Sequence, residues 1–276
     1  FADHDQFVSV RGYSLYYTDE GPHDGLPVVM LHGAAASSFT WRHQRKALAD
    51  AGYRVITIDQ IGHGASDRPA APVYTTRLQA ELMLGAMDAL GINTAHLVGH
   101  SYGGRVALQM AIIAPQRILS LVAICPEAFA TSRPPIASAV AMPLVGQTLA
   151  FYVLAPVLVE TGLRHVSRSY GWLTSEAIAG YARPLYVQGT IAAQIWQARS
   201  PKDGEQPVPT NLPAITQRTL LLWGSDDPIF PVEHGRQLSN ILPNATLQVF
   251  DPVGHLPHEE AHDGTTSAIL DFLRHP

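Results

Sequence analysis

The chain is short of charge. Asp, Glu, Lys and Arg make up 15% of its 276 residues, against roughly 25% in an ordinary soluble domain, so apolar surface has to be buried or put to use. Basic residues are not in excess either. Eighteen Lys and Arg face 23 Asp and Glu, the net charge is −5, and no basic cluster exists to neutralise phosphates, which excludes nucleic acid as a partner. Cysteine is nearly absent. The lone Cys125 excludes an intramolecular disulfide framework and a cysteine-based zinc site and reads as a small buried hydrophobe. The opening FADHDQF has no charged-then-apolar leader, and a cytoplasmic location is expected.

An unbroken membrane-length helix is also missing. Pro134 to Val159 is 26 residues without a charge, enough to span a bilayer by length alone. Pro134, Pro135, Pro143, Gly146 and Pro156 interrupt it, which predicts two or three short buried helices and no integral membrane segment.

What is present is an alternation. Val28 to Leu31, Val55 to Ile58, His96 to Val98, Leu121 to Ile124, Leu220 to Trp223 and Leu247 to Phe250 read as strands buried on both faces. FVSVRGYSLYYTDEG ahead of them reads as an antiparallel hairpin turning at Arg11-Gly12-Tyr13 on the sheet edge. Helical patterns cover Ser37 to Ala51, Thr75 to Leu90, Tyr102 to Ala114, Val232 to Ile241 and about His258 to Arg274. Strand, helix, strand repeated predicts an α/β fold: an eight-stranded, mostly parallel sheet covered on both faces. Pro126 to Pro213 breaks the rhythm with helical segments only. The expected organisation is a core domain of residues 1–125 and 214–276 with a helical lid, 126–213, inserted over the ligand-binding end of the sheet.

The chemistry is expected at strand ends. Gly99-His100-Ser101-Tyr102-Gly103 is a G-x-S-x-G segment between a strand and a helix, the setting in which a sharp turn projects a serine hydroxyl. A serine needs a base, and the base an orienting acid. His255 follows the last strand, and Asp226 and Asp227 follow the strand ending at Trp223. The chain order is then Ser, Asp, His.

With these segments the chain resembles α/β-hydrolase-fold proteins of the lidded serine esterase, lipase and epoxide-hydrolase-like group. LHGAAASS (Leu31 to Ser38), DQIGHGASD (Asp59 to Asp67), GHSYGG (Gly99 to Gly104), WGSDDPIFP (Trp223 to Pro231) and GHLPHEE (Gly254 to Glu260) carry the resemblance. It implies Ser101 as nucleophile, His255 as general base and then acid, and Asp227, which falls on the family's G-x-x-D position, as the orienting acid ahead of Asp226. Glu127 is a third candidate, because some members carry the acid after that earlier strand. The backbone N–H groups of Ala34 and Tyr102 are the implied oxyanion hole. The run Ala34-Ala35-Ala36 lacks the glycine-rich HGGG of one esterase branch.

Other residues have plainer readings. His32, His63 and Asp59 are expected to shape turns, and Trp172, Trp196, Tyr170, Tyr181 and Tyr186 to form the insertion's own core in preference to a pocket wall. His258-Glu259-Glu260-Ala261-His262 satisfies H-E-x-x-H, a zinc-peptidase helix, yet the same residues fit the family's G-H-x-x-H-x-E segment, and no metal or cofactor is expected.

The expected function is therefore hydrolysis of a carboxylic ester of a hydrophobic small molecule through an acyl-enzyme. The same triad also serves carbon–carbon bond hydrolases, lactonases, thioesterases, perhydrolases and hydroxynitrile lyases, and a sensor on this fold could bind without turnover. A serine at the elbow argues against haloalkane dehalogenase and epoxide hydrolase chemistry, which uses an aspartate there.

Overall fold

The computed structural model describes residues 6–129, 149–199 and 210–275. Eight strands form one sheet: β1 (Gln6–Val10), β2 (Tyr13–Glu20), β3 (Pro27–Leu31), β4 (Arg54–Ile58), β5 (Ala95–His100), β6 (Ile118–Ile124), β7 (Thr219–Gly224) and β8 (Ala245–Phe250). Their spatial order is β1-β2-β4-β3-β5-β6-β7-β8. β1 and β2 pair antiparallel, as do β2 and β4; every other pair is parallel. Arg11 and Gly12 turn the hairpin with φ of 51° and 83°, the positive pair that a tight two-residue turn requires.

The helices follow the sequence pattern closely. They are α1 (Arg42–Asp50), α2 (Thr76–Ala89), α3 (Tyr102–Ile113), α4 (Leu149–Val166), α5 (Ser175–Ala182), α6 (Thr190–Arg199), α7 (Val232–Ile241), α8 (Pro257–Glu260) and α9 (His262–Arg274). Successive side chains of a strand point to opposite faces, and β3 shows both faces in use. Val29 and Leu31 join a core with Leu82 and Met83 of α2, Val106 of α3 and Leu238 of α7. Val28 and Met30 join another with Trp41, Leu48 of α1 and Ile269 and Leu273 of α9.

Three expectations need correction. β8 is not buried on both faces: it is the edge strand, and Val249 is 37% exposed. The helix expected from His258 to Arg274 is two, divided at Ala261, where φ is −127° and ψ 47°. Pro156 does not break the insertion; α4 runs through it for 18 residues, in spite of the roughly 3 kcal/mol that an interior proline costs a helix. Val157 and Leu158 beside it are exposed, while Ala155 is buried. The earlier prolines and Gly146 of the uncharged run lie outside the described residues. None of the helices among the described residues is long and apolar enough to cross a membrane.

α4, α5 and α6 enter the chain after β6, beside the carboxyl ends of the parallel strands, where an open α/β sheet forms its crevice. Three separate contacts seat them there. Tyr181 packs edge-on against Phe39 at 5.7 Å, Arg68 Nε donates to Thr190 Oγ1 at 2.8 Å, and the His255 N–H donates to the Val166 carbonyl at 2.8 Å.

Candidate active site

Ser101 sits between β5 and α3 with φ of 50° and ψ of −114°, a strained conformation for a residue with a side chain. The turn around it leaves no spare room: a methyl group on Gly99 would meet the Gly103 carbonyl at 2.6 Å. Hydrogen bonds hold the strain in place. The Ser101 N–H donates to the Ile124 carbonyl at 2.9 Å, and its own carbonyl accepts from Arg105 at 3.0 Å and Glu127 at 3.1 Å.

His255 follows β8 and Asp227 follows β7, and the two side chains meet. His255 Nδ1 lies 2.8 Å from Asp227 Oδ2. The other carboxylate oxygen accepts the N–H groups of Ile229 at 2.8 Å and Phe230 at 3.0 Å. Burial alone would push this carboxyl up, but the His255 charge and hydrogen bond, with the two backbone donors, outweigh it and hold Asp227 below the usual carboxylate range. An ionised carboxylate only accepts, so Nδ1 carries the proton and Nε2 is left as the basic nitrogen. The Phe230 ring stands edge-on to the imidazole at 5.3 Å.

The elbow and the histidine loop are joined directly. His100 Nε2 donates to the His255 carbonyl at 2.9 Å, and burial, then the neighbouring His255, pushes His100 down to about 3, keeping it neutral. The loop after β3 closes the third side. A methyl group on Gly33 would lie 2.6 Å from His100 Nδ1 and 3.3 Å from Ser101 Cβ, so the chain passes against the serine just before Ala34. Tyr102 is the first residue of α3, a position whose N–H has no acceptor within its own helix.

The competing acids are occupied elsewhere. Asp226 is exposed and pairs with Arg168 Nε at 3.0 Å, and Glu127 pairs with Arg105 Nη1 at 3.1 Å. His32 accepts the Gln60 N–H on Nε2 at 3.1 Å and donates from Nδ1 to the Gly33 carbonyl at 2.8 Å, a turn-shaping role. Asp59 similarly takes the N–H groups of Ser38 at 2.6 Å and Ala65 at 2.8 Å. Cys125 is buried. The H-E-x-x-H helix is interrupted at Ala261: His258 is buried with Nε2 on Thr40 Oγ1 at 2.8 Å, while His262 stacks on His43 at 4.6 Å.

A buried polar network beside the site has no counterpart in the sequence reading. Tyr181 of α5 donates to Glu259 Oε1 at 2.6 Å and shares a 2.6 Å hydrogen bond with Thr40. Arg42 Nη1 reaches the same Glu259 oxygen at 2.6 Å, and the His258 ring packs against His100 at 4.4 Å. Only the placement of Glu259 and His258 in the GHLPHEE segment could have hinted at it. The other aromatics of the insertion divide: Trp172 packs edge-on to Tyr181 at 6.0 Å, whereas Tyr170 and Tyr186 are exposed and form no core.

Comparison with known proteins agrees with this architecture. A family model described as alpha/beta hydrolase fold matches residues 27–262. The chain is 32% identical over 275 residues to 2-hydroxy-6-oxo-6-phenylhexa-2,4-dienoate hydrolase of Comamonas testosteroni, covering 95% of this chain and 92% of that one. Among solved structures, an enol-lactonase from Burkholderia xenovorans LB400 superposes with a TM-score of 0.83 at 23% identity, covering 98% of this chain and all of the other. A thermophilic esterase from Thermogutta terrifontis gives a TM-score of 0.76 at 27% identity, covering 98% and 97%. A strained serine turn, a carboxylate-bonded histidine after the last strand and a mostly parallel sheet with helices inserted after β6 thus sit within a match spanning most of the length, and the chain belongs to the alpha/beta hydrolase fold family.

Proposed function

We propose that the protein is a serine hydrolase that cleaves a bond next to the carbonyl of a hydrophobic small molecule, with the carbon–carbon bond of an oxo-dienoate as its leading substrate class. The observation that carries the reading is the buried 2.8 Å Asp227–His255 pair, tied through His100 to the strained Ser101. In this reading Ser101 Oγ attacks the ketone or ester carbonyl as His255 Nε2 takes its proton. Asp227 fixes the tautomer and stabilises the imidazolium. The N–H groups of Ala34 and Tyr102 receive the developing oxyanion, each donor being worth about 3 kcal/mol. Collapse expels the leaving group, which takes the proton from His255; water, deprotonated by the same nitrogen, then releases the acid and restores Ser101.

Ester cleavage is the first expectation from the sequence alone, and the relatives reverse the order. The Comamonas testosteroni hydrolase, at 32% identity, is named for a ketone conjugated to a dienol. Cleaving the dienol form directly would leave a vinyl carbanion that the conjugated system cannot delocalise, so the substrate first ketonises, a proton passing from its 2-hydroxyl oxygen to C5. C5 then leaves as a carbanion delocalised through the C3–C4 double bond onto the 2-oxo group and takes the proton from His255. Ester hydrolysis is the second reading, favoured by the 27% identity to the Thermogutta terrifontis esterase and by a triad that needs no electron sink in the leaving group. In both readings the insertion after β6, whose described helices are α4, α5 and α6, serves as a lid.

The test is a panel of 6-phenyl and 6-alkyl 2-hydroxy-6-oxohexa-2,4-dienoates, lactones, thioesters and p-nitrophenyl esters of graded acyl length. Fastest turnover of the dienoates is expected, with none in Ser101→Ala. Esters turning over best would install the second reading. Binding without turnover anywhere in the panel would identify a sensor.

A further inference from the structure

Glu260 ends the GHLPHEE segment, and nothing in the chemistry above uses it. Its carboxylate collects four backbone N–H groups from two distant segments. Oε1 accepts from Gly254 at 3.0 Å and Leu256 at 3.4 Å, the residues on either side of His255. Oε2 accepts from Arg168 at 2.6 Å and Ser169 at 2.9 Å, just past the end of α4. Hydrogen bonds to an ionised acceptor are roughly twice as strong as neutral ones, and here a single side chain supplies all four.

The two segments it joins are themselves in contact. The His255 N–H donates to Val166 at 2.8 Å, and a methyl group on Gly254 would lie 2.5 Å from that carbonyl and 2.9 Å from Ser167 Cα. Arg168 adds a third tie through Asp226, the residue before Asp227. With both flanks and its own N–H held, the His255 backbone has little freedom left to tilt the imidazole away from Asp227.

We propose that Glu260 is a positioning residue: it sets His255 against Asp227, and it does so only while residues 166–169 of the insertion are seated, so that docking of the insertion is a condition of full activity. The catalytic half of this inference rests on the serine-hydrolase reading; the clamp does not.

Three readouts on the wild type, Glu260→Ala and Glu260→Gln test it. The first is the low-field proton resonance of His255 Nδ1–H on Asp227, together with amide hydrogen exchange at 166–169 and 254–256. In Glu260→Ala the resonance should broaden or vanish and both segments should exchange faster together, with the rest of the folded protein unchanged. The second is the rate at which an alkyl fluorophosphonate labels Ser101, per folded molecule, expected to fall roughly 10- to 100-fold. The third is the split between kcat and KM on phenyl and p-nitrophenyl butyrate: kcat should fall, and further for phenyl, whose leaving group depends more on a well-aimed proton, while KM holds. Glu260→Gln keeps one acceptor oxygen and should fall between.

An unchanged resonance and a labelling rate within twofold of wild type in Glu260→Ala would overturn the positioning role. Faster exchange in only one segment would overturn the coupling. A wild type that is never labelled would refute the hydrolase reading instead, and the resonance and the exchange would still decide the clamp.

Discussion

At the scale of single residues, the neighbours of each carboxylate decide which one serves the histidine. Asp226 and Asp227 are adjacent in sequence and indistinguishable by composition, yet one faces Arg168 in solvent and the other His255 in the interior. Asp227→Asn is expected to lower kcat by roughly four orders of magnitude by analogy with the same change in a serine protease triad, and Asp226→Asn by less than tenfold. The reverse ranking in steady-state assays would move the acid by one position. Ser101→Ala should abolish turnover and fluorophosphonate labelling with the fold intact by circular dichroism. The serine and histidine were legible because an elbow and a terminal loop have local signatures. Glu260 was not, because on the insertion side its hydrogen bonds go to residues 91 and 92 positions away, which no spacing rule encodes.

At the scale of elements, the insertion is held by polar contacts as well as packing. Tyr181 hands α5 to the core through Thr40 and Glu259, all three buried. Tyr181→Phe removes the hydroxyl and leaves Glu259 with Arg42 as its remaining charged partner. A cost of about 1–3 kcal/mol is expected from the lost hydrogen bond to the Glu259 carboxylate, read as a lower urea midpoint; no loss of stability would mean that the network is dispensable. The strands and most helices were legible because their periods differ, 2 against 3.6. Sequence failed where one residue was trusted to end an element: Pro156 lies inside α4, and the break at Ala261 has no glycine or proline to announce it. It failed at β8 because an apolar run does not say whether the strand is central or at an edge.

For the whole molecule, scarce charge has a thermodynamic counterpart in histidines buried without charge. Burial pushes His32 down to about 4 and His63 and His100 to about 3. In the unfolded chain the same side chains take up protons near pH 6.5. Between pH 6.5 and about 4 the unfolded state therefore binds more protons, and stability falls as pH falls, by about 1.4 kcal/mol per pH unit for each histidine. Above 6.5 they contribute no slope. Urea denaturation from pH 8 to 5 should show a plateau and then a steep decline; a midpoint unchanged down to pH 5 would contradict the buried neutral state.

On the proposed mechanism, the strand order also bears on when activity can arise as the chain is made. Ser101 is already cradled once β6 has paired with β5, since Ile124 and Glu127 supply its backbone partners. His255 follows β8 and can be placed only after β7 and β8 have been added to the same sheet edge in turn, and Glu260, which holds the residues on either side of it, lies later still in the chain. On the proposed mechanism, a chain halted before residue 254 would hold the serine turn without its base, so activity would have to wait for the last strand and the loop that follows it.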